Sequence, residues 1–210
     1  MNRLATLTPE EGPSQGIGAL ERKRFWADIQ GTATTPEELI AIFRREYDQI
    51  IPIDVGVEGD AKAELKEGDS LSMKLPLRGH IQIRVEEVTA REVSFVTAEG
   101  HPLAGAVSFR AEPAPRGLRF IVEVNARASN WLDYLSLKMG GNMAQRLNWE
   151  TVVERMVERS GGTAPDGVQH ENEKLHGDDA ERAEGFVERM ITRRKRRDNE
   201  EASRGRERAR

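Results

Sequence analysis

The chain has no cysteine among its 210 residues. That excludes disulfides, Cys-ligated zinc, iron–sulfur clusters and thiol catalysis. It fits a reducing compartment, and the expected location is cytoplasmic. Histidine is scarce, with four in all. His80, His101, His170 and His176 show no close paired spacing, so no metal and no other cofactor is implied. No apolar run reaches the ~18 residues that a membrane-spanning helix needs. The first twenty residues lack the apolar core of a signal peptide. A basic excess is missing too. The net charge is −4, and residues 163–210 hold 12 basic and 12 acidic residues, so the imbalance lies in the first 162. An acidic domain is a poor partner for a phosphate backbone in general. There is no Gly-x-Ser-x-Gly elbow, and Gly16-Ile17-Gly18 lacks the strand and third glycine of a dinucleotide fingerprint.

What the sequence does have is alternation. Residues 1–21 mix Gly, Pro, Ser, Thr and Glu and read as a flexible N-terminal arm. Phe25, Ala27 and Ile29 then alternate with polar neighbours, as in a short strand. Thr35-Pro36-Glu37-Glu38 is a helix start: Thr35 caps, Pro36 suits the first turn, and Glu38 completes a capping box. Leu39, Ile42, Phe43, Tyr47 and Ile50 give that helix an apolar stripe up to Pro52. Five alternating segments follow, with inward sets Leu71/Met73/Leu75/Leu77, Ile81/Ile83/Val85, Val93/Phe95/Thr97, Val107/Phe109/Ala111 and Leu118/Phe120/Val122/Val124/Ala126. Residues 54–65 add an irregular strand. The short turns between segments favour antiparallel neighbours. From Asn130 to Ser160 the apolar period becomes helical, interrupted at Gly140-Gly141. Residues 161–210 read as a charged, largely disordered tail with a short amphipathic helix at 178–197, using Ala183, Phe186, Val187, Met190 and Ile191.

The candidate chemistry is sparse. His101, within Thr97-Ala-Glu-Gly-His-Pro-Leu-Ala-Gly105, is either a proton-transfer or ligand-binding group, or a turn residue held by Gly100 and Pro102. The turn is favoured, because one histidine with no partner visible in the sequence meets few catalytic requirements. The run Arg193, Arg194, Lys195, Arg196, Arg197 offers an electrostatic contact to a protein or nucleic acid, or else a solvated tail that folds back on the acidic segment before it.

The order strand, helix, antiparallel strands, long helix resembles the helix-grip, START-like superfamily. The implied fold is α+β, with a curved antiparallel sheet packed on a long C-terminal helix across residues 22–160. Many members hold an apolar ligand between sheet and helix. Residues 92–155 also resemble a plant and bacterial family of unknown function with a Gly-His-Pro-x-x-Gly signature. Thr97, Gly100, His101, Pro102 and Gly105 match it. Leu103, Ala106 and Ala128 replace two acidic residues and a proline of its pattern. The resemblance brings no catalytic residues. It implies a binding module with cavity candidates Met73, Ile83, Phe95, Thr97, His101, Phe109, Phe120, Val122, Met139 and Met143. The alternatives are an interaction protein docking through its charged tail, and a cyclase- or hydrolase-like enzyme of the same fold, which needs converging polar groups.

Overall fold

The structure is a computed structural model describing residues 8–52, 55–57, 64–75, 79–130, 132–133 and 142–208. A short 3-10 turn at Pro13–Gln15 leads into β1 (Ile17–Gln30) and α1 (Pro36–Ile50). Next come β2 (Val55–Val57), β3 (Ser70–Leu75), β4 (Gly79–Val88), β5 (Glu92–Thr97), β6 (Leu103–Ala114) and β7 (Gly117–Ala128). The chain continues with α2 (Asn142–Ser160), β8 (Gln169–Leu175) and α3 (Gly177–Arg208). The eight strands form one antiparallel sheet in the order β2-β3-β4-β5-β6-β7-β1-β8. Leu77, Trp131, Leu135, Met139 and Gly140-Gly141 lie outside the described residues.

One face of the sheet, the inner face, carries the main core. Phe25, Ala27 and Ile29 line up in register with Val122, Phe120 and Leu118, and those with Phe109, Ala111 and Pro113. α1 covers this face with Leu39, Ile40, Phe43, Tyr47 and Ile50, and the Phe43 ring stacks on Phe109 at 4.4 Å. The capping box that starts α1 is present: the Glu38 N–H donates to Thr35 Oγ1 at 3.2 Å and the Thr35 N–H to Glu38 Oε2 at 2.8 Å. Such a cap stabilises by about 1 kcal/mol. α2 adds Val152, Val153 and Met156 to the same core.

Regular structure runs past both ends of the region read as the domain. Residues 17–21, assigned to the arm, belong to β1, and Glu10 is buried in a bridge to Ala98. After α2, a bridge between Gln30 and Thr163 turns the chain back along β1, where β8 pairs from Trp26↔Gln169 to Leu20↔Leu175. The helix read at 178–197 is longer, 32 residues. It covers the outer face, with Val187, Met190 and Ile191 on Val96 and Ala106. Phe186, read into its apolar stripe, is instead exposed.

Beneath α3 lies a cluster of buried charge. The Arg194 Nε donates to both oxygens of Glu86 at 2.9 Å. Glu10 pairs with Arg84, with Arg194, and with Lys195 at 2.9 Å. Arg84 also donates to Ser70 Oγ at 3.3 Å. Glu10, Arg84, Glu86 and Arg194 are all buried. Strand alternation places Arg84 and Glu86 on the outer face, opposite Ile83 and Val85, and the β4–β5 register shifts between Val85 and Glu87. Burial pushes Glu86 up to about 7, against the charge and hydrogen bond of Arg194. Burial raises Glu10 as well, but the Lys195 hydrogen bond and the charges of Arg84 and Arg194 outweigh it and hold that carboxyl low.

Removing one member of such a cluster strands its partners in low dielectric. Arg194→Met is expected to cost about 3–5 kcal/mol in urea unfolding. The double variant Glu86→Leu/Arg194→Met should recover much of that; additive losses would contradict the coupling. The pH dependence has a definite sign. The folded-state pKa of Glu86 lies above its ordinary value of 4.5, so the stability it contributes is full below 4.5 and is lost as pH rises towards about 7. Against Glu86→Gln, the wild type should lose stability across that window, by at most about 1.4 kcal/mol per pH unit. Parallel curves would contradict the assignment.

Candidate functional site

The inner face has two ends. At one, Phe95, Phe109, Phe120 and Val122 are fully packed. At the other, Met73, Ile83 and Ala126 keep 7–8% of their surface exposed, beside Ile81 and Val124. Six of the expected cavity residues therefore do share one face, but only Met73 and Ile83 sit at its more open end. Met143 does not line the interior: it is 59% exposed on α2. Met139 lies outside the described residues.

Thr97 and His101 have structural work of their own. β5 and β6 separate beyond Val96↔Ala106, and the N-terminal segment enters there. The Glu11 N–H donates to the Thr97 carbonyl at 2.8 Å and the Gly105 N–H to the Glu11 carbonyl at 3.1 Å. The Thr97 hydroxyl accepts the Gly105 N–H at 2.9 Å and donates to the Glu11 carbonyl at 2.9 Å. His101 Nδ1 accepts the Leu103 N–H at 3.0 Å, which makes it part of the turn. Gly100 has φ +90°, and a Cβ on Gly105 would lie 2.2 Å from the Asn125 carbonyl oxygen. The Gly-His-Pro-x-x-Gly stretch thus closes a strand junction.

The polar groups of the inner face come from residues the sequence reading passed over. Lys23 precedes Phe25 in the same alternation, in register with Val124. Its side chain is only 12% exposed, and its ammonium donates to Gln145 Oε1 on α2 at 2.7 Å and lies 3.4 Å from Glu21. Trp149, one turn along α2, packs edge-on against Phe109 at 5.9 Å, and its indole N–H is buried with no acceptor. Both signals were available: Lys23 by period two, Trp149 by its spacing from Val152, Val153 and Met156. On β8, His170 stacks on Phe25 at 6.3 Å. It is 3.8 Å from Glu150 Oε1, too far for a hydrogen bond, and that oxygen accepts from Arg146 at 2.7 Å.

The basic run of α3 is engaged within the chain. Arg194 is buried, Arg193 pairs with Glu87 at 3.3 Å, Lys195 with Glu10, Arg196 with Glu200 at 3.1 Å, and Arg197 with Glu67. Each of these five cations therefore has a carboxylate partner within the chain. No helix among the described residues is long and apolar enough to cross a membrane.

KanY, known from an NMR solution structure, is 13% identical to this chain; the match covers 70% of this chain and all of KanY, with a TM-score of 0.51. The fold is an α+β helix-grip fold. The protein MLL2253 of Mesorhizobium loti (17% identical, 65% of this chain and 98% of that one, TM-score 0.43) and the major latex-like protein 151 of Panax ginseng (12%, 67% and 98%, 0.42) are further matches. No protein-family profile matches the chain, and neither does any curated protein sequence.

Two glycines separate the junction's requirements. Gly100→Ala meets nothing within 4 Å and faces only the left-handed backbone, so a loss of about 1–2 kcal/mol is expected. Gly105→Ala drives a methyl into backbone and should cost about 3 kcal/mol or more. Equal losses in thermal unfolding would contradict this reading.

Proposed function

We propose that this protein is a non-catalytic binding module that holds a small apolar molecule between the inner face of its sheet and α2. The observation that carries the reading is Trp149. Its indole N–H is buried against Phe109 with no acceptor. Leaving such a donor unpaired costs about 1–3 kcal/mol, and an acceptor on a bound molecule would remove the cost. The remaining exposure at Met73, Ile83 and Ala126 gives an entry side, and hydrocarbon with a few fixed polar groups is the usual lining of a small-molecule site. The helix-grip fold is consistent with such a module. Kinship with the Gly-His-Pro-x-x-Gly family, resting on Thr97, Gly100, His101, Pro102 and Gly105, is part of the same proposal, as is a cytoplasmic location.

Titration with the neutral fluorescent probe N-phenyl-1-naphthylamine checks it. Saturable binding of one probe per chain is expected. Val107→Trp, which fills the inner face from β6, should weaken binding by about tenfold or more while circular dichroism stays unchanged. Absence of saturable binding by the wild type, or equal binding by the folded variant, would contradict the proposal.

A further inference from the structure

We propose that β8 is a docking edge for an extended basic segment of a partner protein, which adds to the sheet as a further strand with Lys or Arg facing Glu171 and Glu173. Among the described residues β8 ends the sheet, with β1 as its one neighbour. Every second residue of such a strand turns its N–H and C=O away from the sheet. Gln169 to Lys174 are all exposed, and only Leu175 is buried. Two common ways of blunting an edge are missing: the strand has no proline, and its register with β1 runs from Trp26↔Gln169 to Leu20↔Leu175 without a bulge. What remains is charge, and its arrangement selects the partner.

The edge side chains continue an order that begins inside the sheet. Glu171, Glu173 and Leu175 share the outer face, where Leu175 packs with Leu20 and Ala183. Arg24 stands between Glu123 of β7 and Glu171, and Arg22 between Asn125 and Glu173. Both rows therefore end on a carboxylate at the free edge. The arginines make their closer contacts inward: Arg24 Nε donates to Glu123 at 2.8 Å and Arg22 Nε to Asn125 at 3.3 Å. They lie 3.8 Å from Glu171 and 3.6 Å from Glu173, beyond a hydrogen bond. These two glutamate side chains are 55% and 48% exposed. Each carboxylate has further lone pairs for a cation on its outer side. A strand with cations at two positions, one residue between them, completes both rows. Opposite charges facing each other across neighbouring strands stabilise, and like charges destabilise.

The same charges oppose a second copy of this chain. Two copies joined antiparallel through β8 are related by a two-fold axis normal to the sheet, so residues of one face meet residues of the same face. Centred on Asn172, Glu171 of each copy meets Glu173 of the other. Centred on Glu171 or on Glu173, that glutamate meets its own counterpart. Registers further out leave too short an overlap. What fits is a foreign strand of opposite charge, held by main-chain hydrogen bonds and selected by its side chains.

NMR titration of the full chain tests the inference with the end-capped peptide Thr-Thr-Lys-Thr-Lys-Thr-Thr and its counterpart carrying Glu for both Lys. The lysine peptide is expected to shift the amide signals of residues 169–175 and slow their hydrogen exchange, and to bind about tenfold tighter than the glutamate peptide. Glu171→Gln/Glu173→Gln should remove that preference, and Glu171→Lys/Glu173→Lys should reverse it. If the lysine variant does not fold, the glutamine variant decides. Equal binding of the two peptides by the wild type, binding that leaves the β8 amides unmoved, or no binding of either peptide overturns the proposal. So does a wild-type dimer in sedimentation velocity whose β8 amides are protected without peptide, since the occupant would then be a second copy.

Discussion

Two guanidinium groups and two carboxylates, buried under the last helix, fix how this chain is closed. Arg84 and Glu86 come from β4, Glu10 from the N-terminal segment and Arg194 from α3. Charges in that position are tolerable only as a complete set, because each one left alone carries its full desolvation penalty. The set therefore makes three distant parts of the sequence depend on one another. α3 needs β4 for its register along the sheet. The N-terminal segment needs both before it can wedge between the parting ends of β5 and β6. The apolar contact of α3 is modest, chiefly Val187, Met190 and Ile191 on Val96 and Ala106, so the charges supply the positional specificity that this small patch lacks.

With the outer face of β4 to β6 closed in this way, the two faces of the sheet have different tasks. The outer face fixes the architecture. The inner face is densely packed where α1 and the C-terminal part of α2 meet it, and retains exposure where Lys23, Gln145 and the strand ends lie.

Much of the architecture was legible because it is written in periodicity. The strands β3 to β7, the capped α1 and the change to a helical period after Asn130 all bury a simple repeating set of side chains, and repetition of that kind survives in the sequence. β8 was not legible. Its seven residues, Gln169 to Leu175, are an exposed edge whose one buried side chain is Leu175, so no alternation of hydropathy marks it. The charge cluster was hidden for a related reason. Arg84 and Glu86 look like ordinary outward residues of a half-wet strand, and Arg194 like one of five cations in a solvated run. Only the packing of α3 over them, some hundred residues away in sequence, takes them out of water. His101 drew notice through rarity, but its ring completes a turn. Lys23 and Trp149 were passed over because a lysine at a strand start and a tryptophan in a helix have bland explanations by themselves.

The binding account is tested most directly at the Trp149 indole. The chain has 3 tryptophans, and Trp26 alternates onto the outer face of β1, away from the proposed ligand. In ¹H–¹⁵N spectra, with the indole signals assigned by Trp149→Phe and Trp26→Phe, adding N-phenyl-1-naphthylamine should shift the Trp149 proton upfield as its N–H meets the shielding face of the aromatic ligand, while Trp26 stays in place. A probe that binds while the Trp149 signal does not move would contradict the account.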